Sequence, residues 1–259
     1  MLIDYHTHTR LTDGVGVPMD YARVALERGL DEIGCSDHAP LADRDTDWHL
    51  KKADLETYVG WVSDAQEKFP SLTIKLGLEV DFMPGCEGWV RELAGMYPWD
   101  FFLGSVHYLG DFPVDRSADD WKNEDVDARW REYFDLWTQA ARSHLFDSLA
   151  HPDLPKKFNV RPKSDFAKVY EDSLHAVAES DVAIEVSTAG LRKPCKEIYP
   201  SETFLKIARG LNIPITFGSD AHVPQDTGQD FGKATSLARA CGYDKISRFT
   251  LRKRELVKL

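Results

Sequence analysis

The stretch Leu2-Ile3-Asp4-Tyr5-His6-Thr7-His8-Thr9 opens the chain with a short apolar β run that ends in two histidines one residue apart. In an extended segment residues i and i+2 point the same way, so His6 and His8 aim their imidazoles at one point. Alone, such a pair is as readily a surface accident as a metal pincer. It gains weight because the same event, an apolar run closing on a ligand-type side chain, recurs down the chain.

Strand-like runs lie near Leu2 to Tyr5, Glu32 to Ser36, Thr73 to Val80, Phe101 to Val106, Ser148 to Ala150, Val182 to Val186 and Ile215 to Ser219. Helical patterns separate them: Pro18 to Arg28, Leu55 to Phe69, Trp89 to Met96, Val126 to Ser143, Phe166 to Glu179 with Asp165 as N-cap, Phe204 to Arg209, and Lys233 to Cys241. Gly29, Pro70, Gly210 and Gly242 read as their stops. Alternation of this kind is the pattern of parallel β-α-β units. Such units close into a barrel or lie open as a doubly wound sheet. No G-x-G-x-x-G loop follows the first strand, and candidate site residues come from nearly every strand, which favours the barrel. The expectation is an α/β chain folded as one barrel domain over residues 1–259, with the basic tail Leu251 to Leu259 as solvated surface.

The residues at successive strand exits are His6 and His8, then His38, Glu79 near the end of the third strand, His107, His151, and finally Asp220 and His222. Six of these are among the chain's nine histidines, and in a parallel barrel every such exit lies on one rim. Packing accounts for one such histidine but not for six. The remaining three, His49, His144 and His175, sit in an acidic loop or beside helices and read as structural. Histidine with carboxylate and no cysteine suits zinc, iron or manganese, and eight donors exceed one ion's needs. Two or three divalent ions, bridged by Glu79, is the economical reading.

Composition narrows the rest. A net charge of −11 repels nucleic acid and anionic membrane on average. Four cysteines without a C-x-x-C spacing fit free thiols, and no apolar run approaches the roughly 20 residues of a membrane helix. A soluble, cytoplasmic protein is expected, and composition says nothing of its oligomeric state.

His6-Thr7-His8, Ser36-Asp37-His38, Glu79, Ser105-Val106-His107, His151-Pro152 and Ser219-Asp220-Ala221-His222 together resemble the polymerase-and-histidinol-phosphatase (PHP) superfamily. Ser105 to Asp115 (SVHYLGDFPVD) and Gly190 to Ser201 (GLRKPCKEIYPS) resemble its stand-alone histidinol-phosphatase branch. The resemblance implies a distorted, TIM-like (β/α)7 barrel with a trinuclear centre at the C-terminal rim of the strands. It further implies hydrolysis of L-histidinol phosphate to L-histidinol and phosphate, a step of histidine biosynthesis. His6, His8, His38, Glu79, His107, His151, Asp220 and His222 match ligand positions. Where many members carry a Cys-Gly-His-like segment, this chain has Thr12-Asp13-Gly14, and Asp13 becomes the implied oxygen ligand, as in Ser-Asp-Gly variants of the superfamily.

Phosphate monoesters resist hydrolysis, and clustered divalent ions answer both needs of the reaction by lowering the pKa of a water from about 15.7 toward about 7 and by holding phosphate oxygens. A metal-bound water and Asp220 are the two candidate proton donors to the leaving group. Arg192 and Lys193 past the sixth strand are candidates for the phosphate, with Arg161 a second choice. A small phosphorylated amino alcohol also needs acid near its ammonium, for which Asp115 is the candidate; Asp43, Asp45 and Asp47 fit ordinary loop acidity better. Two other readings compete: a PHP phosphoesterase acting on nucleotides or oligonucleotide ends, and a catalytically silent PHP module that binds a partner.

Overall fold

In the computed structural model, which describes residues 1–43 and 45–259, seven parallel strands lie side by side in the order in which the chain makes them. The sheet runs β1 (Ile3–Asp4), β2 (Glu32–Cys35), β3 (Thr73–Asp81) and β4 (Phe101–Ser105). A small rim hairpin, β5 (Tyr108–Leu109) with β6 (Phe112–Pro113), intervenes before β7 (Ser148–Leu149), β8 (Ala183–Ser187) and β9 (Ile215–Gly218) complete the sheet. The last strand comes back to the first. Tyr5 N–H donates to Phe217 O at 3.0 Å, His8 N–H to Ala221 O at 2.9 Å, and Ala221 N–H to His6 O at 3.0 Å, so the sheet is a nearly closed barrel.

A helix follows each strand or strand-hairpin unit: α1 (Pro18–Glu27), α2 (Leu55–Lys68), α3 (Glu87–Ala94), α4 (Val126–Arg142), α5 (Ala167–Ser180), α6 (Glu202–Gly210) and α7 (Phe231–Ala240). The alternation read from the sequence is therefore a TIM-like (β/α)7 barrel. α4 shows how the helices are fixed. Asp125 caps it by accepting Ala128 N–H at 3.1 Å, and Trp130, Tyr133, Phe134 and Trp137 recur at helical spacing on the buried face. Every helix is displaced from expectation by one or two residues at one or both ends. α3, α6 and α7 each start two residues earlier than read, α5 starts at Ala167, whose N–H is taken by Asp165 Oδ1 at 2.9 Å, and α6 runs through Gly210 rather than stopping before it.

The tail Leu251 to Leu259 is largely exposed, as expected, but it is ordered. Its strand β11 (Lys253–Lys258) pairs antiparallel with β10 (Lys245–Thr250), and the hairpin is laid across the starts of the barrel strands. Ile246 and Phe249 are buried, Phe249 N–H donates to the Tyr5 hydroxyl at 3.0 Å, and Lys75 Nζ donates to Thr250 Oγ1 at 2.7 Å. This plug seals the N-terminal end of the barrel. The opposite end, where the strands exit, is left for the site. No helix of the described residues is long and apolar enough to cross a membrane.

Candidate metal centre

Parallel strands all exit in one direction, so their ends share one rim, and the rim gathers the nine candidate ligands. Glu79 on β3 is the hub. Its Oε2 lies 3.2 Å from His6 Nε2, 3.6 Å from His8 Nε2 and 3.0 Å from His38 Nδ1, while its Oε1 lies 2.9 Å from His151 Nε2 and 3.6 Å from His107 Nε2. Asp220 forms a second focus, its Oδ1 3.7 Å from His6 Nε2, 3.3 Å from His8 Nε2 and 3.4 Å from His222 Nδ1. Asp13 completes a third corner, 3.1 Å from His222 Nε2 and 3.7 Å from His38 Nε2. These side chains fall into four overlapping groups: His8, Asp13, His38 and His222; His6, Glu79 and His151; His6, His8 and Asp220; His38, Glu79 and His107. Within each group the donor atoms lie within 4.8 Å of one another.

The donor set fits divalent cations. His6 Nε2 and both ring nitrogens of His8 are buried without a hydrogen-bond partner, an arrangement that costs free energy unless something positive accepts the lone pairs. Burial opposes charge on Glu79, yet the surrounding His6, His38 and His107 hold its carboxyl well below the usual carboxylate range. Asp220 behaves the same way: burial works against its charge and His6 leads the groups that restore it. Burial pushes His38 down to about 3, leaving a neutral imidazole. Other rings go the opposite way: although burial opposes their charge, Glu185 and Glu79 raise His6, Asp81 raises His107 to about 10, and Asp13 raises His222 to about 9, protons that a bound cation would displace.

A second layer of buried acids orients these ligands, and sequence reasoning missed it. Glu185, in the middle of β8, accepts from His6 Nδ1 at 2.7 Å through Oε1 and from His151 N–H at 2.8 Å through Oε2. Asp81, two residues past Glu79 on the same face of β3, sits 2.5 Å from His107 Nδ1. Asp4 accepts from Ser219 N–H at 2.9 Å, Ser219 Oγ at 2.6 Å and Gly228 N–H at 2.7 Å, tying β1 to the segment that carries Asp220. Each was visible only as an acid in or beside an apolar strand. His151 and Asp220 both hold positive φ, 25° and 51°, conformations that a non-glycine residue keeps only under local constraint.

Part of that constraint is Arg192. Its Nη2 donates to the carbonyls of Ser219 at 2.5 Å and Asp220 at 3.3 Å, and its Nε pairs with Asp226 at 3.0 Å. The guanidinium expected to fork onto phosphate is engaged with the backbone of a candidate ligand. Arg192→Ala should therefore disturb Asp220 more than substrate affinity: zinc content measured by elemental analysis is expected to fall along with kcat, by about 10- to 100-fold in metal affinity. A raised KM with full metal content would return Arg192 to the phosphate.

Beside the centre lies a cleft of about 440 Å³ lined by Trp48, Tyr108, Asp115, Arg116, Lys157, Lys193 and Tyr199 together with several of the ligands. Lys193 and Asp115 are thus where the sequence reading put them, next to the cluster. Asp115 pairs with Lys157 at 2.9 Å, and although burial opposes its charge, His107 and Lys157 lower its carboxyl. Lys157, Arg116 and Trp48 had no sequence signal of their own. Arg161 is outside the cleft lining, paired with Glu197 at 2.8 Å, and Asp43, Asp45 and Asp47 are exposed.

A nearly closed (β/α)7 barrel with imidazoles and carboxylates massed on its C-terminal rim defines a class, and the sequence agrees: residues 4–189 match the family model for the PHP domain, and the chain belongs to that family. Among individual relatives, it is 38% identical over 247 residues to the Deinococcus radiodurans protein named "Probable histidinol-phosphatase", covering 93% of this chain and 94% of that one. It is 27% identical over 240 residues to the histidinol-phosphatase of Bacillus subtilis, covering 80% of this chain and 88% of that one. The crystal structure of histidinol phosphate phosphatase from Lactococcus lactis, complexed with zinc, L-histidinol and phosphate, superposes with a TM-score of 0.85 at 24% identity over 98% of both chains. At that identity the likeness speaks for the fold.

Proposed function

We propose that this chain is a histidinol-phosphatase: one domain over residues 1–259 that hydrolyses L-histidinol phosphate to L-histidinol and phosphate. The observation that carries the reading is the Glu79 and Asp220 cluster opening directly onto a cleft that holds both cations and an acid. Two or three divalent ions, of zinc, iron or manganese, would be held by His6, His8, Asp13, His38, Glu79, His107, His151, Asp220 and His222. Such ions supply an activated water and screen the phosphoryl charge.

The chain's own residues do the rest. Lys157 and Lys193 offer positive charge to a phosphate entering the cleft, and Asp115 offers acid to the ammonium. Trp48 and Tyr108, stacked at 6.2 Å, give an imidazole an aromatic wall. Water attacks phosphorus as the phosphorus–oxygen ester bond breaks; the ionised Asp220 carboxylate takes the proton that the attacking water gives up and passes it to the departing alkoxide. The four free thiols accord with a reducing cytoplasm.

A phosphate-release panel of histidinol phosphate, nucleoside monophosphates and short oligonucleotides tests the assignment. Histidinol phosphate should exceed the others in kcat/KM by orders of magnitude. Comparable turnover of nucleotides would replace the substrate while keeping the chemistry, and no turnover of any of them would favour a silent binding module.

A further inference from the structure

His49 reads from sequence as a polar-loop residue, but it is 3% exposed and belongs to a chain of hydrogen bonds that ends at the metal cluster. Its Nε2 lies 2.9 Å from Asp81 Oδ2, and Asp81 Oδ1 lies 2.5 Å from His107 Nδ1 with Ser105 Oγ donating to the same oxygen at 3.2 Å. At its other end, Thr46 Oγ1 lies 2.7 Å from His49 Nδ1 and accepts His49 N–H at 3.2 Å. An ionised carboxylate only accepts, so both imidazoles must present N–H to Asp81. With an N–H given to Asp81, His49 leaves Nδ1 to pair with the Thr46 hydroxyl, and a metal-binding His107 would present Nε2, the atom that faces Glu79 at 3.6 Å.

The same contacts seat Trp48. Its ring lies tilted against His49 at 3.8 Å and stands edge-on to His38 at 4.7 Å and His107 at 5.6 Å, forming a wall of the cleft beside the cluster. The loop is tied down again where Leu50 N–H donates to His38 O at 2.9 Å.

The geometry points to His49 as a positioning residue, which through Asp81 fixes the tautomer and orientation of His107 toward the metal and holds Trp48 as the cleft wall. This rests on reading the cluster as a metal centre. Zinc affinity, measured by competition with a chromophoric chelator on the full chain without substrate, tests it. His49→Ala should weaken binding of one ion by about 10- to 100-fold, the usual cost of removing an outer-layer partner. His49→Gln, whose amide N–H can replace Nε2–H toward Asp81, should restore most of the loss. Thr46→Val, which keeps the imidazole and its packing, should shift affinity the same way by less, and it decides the matter should His49→Ala fail to fold. Wild-type affinity in His49→Ala, a His49→Gln variant as weak as His49→Ala, or an unmoved Thr46→Val overturns the assignment. Because no substrate is present, failure to hydrolyse histidinol phosphate leaves this test untouched, whereas failure of the wild type to take up zinc sinks the metal reading and this one with it.

Discussion

Replacing Glu79 with alanine should reduce phosphate release from histidinol phosphate by about a thousandfold or more and strip most of the bound metal, because a single carboxylate serves five imidazoles. The hub position makes the loss larger than for any one histidine: His6, His8 and His38 also belong to two of the overlapping groups, but Glu79 approaches five imidazoles through its two oxygens. The outcome is read from initial rates at saturating substrate together with elemental analysis of the purified variant. Retention of full metal content with a loss below tenfold would remove Glu79 from the centre of the site.

Gly218→Ala is expected to do comparable damage without removing any candidate ligand. A Cβ at position 218 would fall 1.8 Å from Glu185 Oε1 and 2.7 Å from His6 Cβ, where both side chains are fully buried and neither can retreat. Overpacking alone costs about 1–3 kcal/mol. The added cost is functional, since Glu185 must leave His6 Nδ1 and His151 N–H, the two bonds that aim those ligands. A drop in melting temperature together with loss of zinc and turnover is the expected result. A variant that is only less stable, with normal zinc affinity and kcat, would mean that Glu185 does not orient the cluster.

The parts of the molecule that were legible in the sequence share a physical cause. A parallel barrel strand is short, apolar and ends abruptly, so the residue at its exit stands out against the run before it; His6, His38, His107 and His151 announce themselves in this way. Asp81 and Glu185 are harder to see because they lie inside the same runs that mark the strands, where an acid looks like an ordinary interruption. His49 carries no periodic signal, and its burial depends on how a loop folds back onto β3. The C-terminal hairpin was illegible for a different reason. Its two-residue turn holds Leu251 and Arg252 at φ 49° and 63°, positions normally given to Asn-Gly. Tertiary contacts offset the unfavourable turn: Leu251 N–H donates to Asp100 Oδ1 at 3.1 Å, and Arg252 pairs with Asp147 and lies 4.1 Å over the Phe102 ring. No local pattern records partners that distant.

The account depends above all on several ions being bound together and being needed for turnover. Titrating chelator-stripped protein with zinc, while following both bound metal and phosphate release from histidinol phosphate, measures this directly. Two or three equivalents per chain, with activity returning as the last of them binds, is the predicted result. One equivalent or fewer, or activity that survives complete removal of metal, would contradict it.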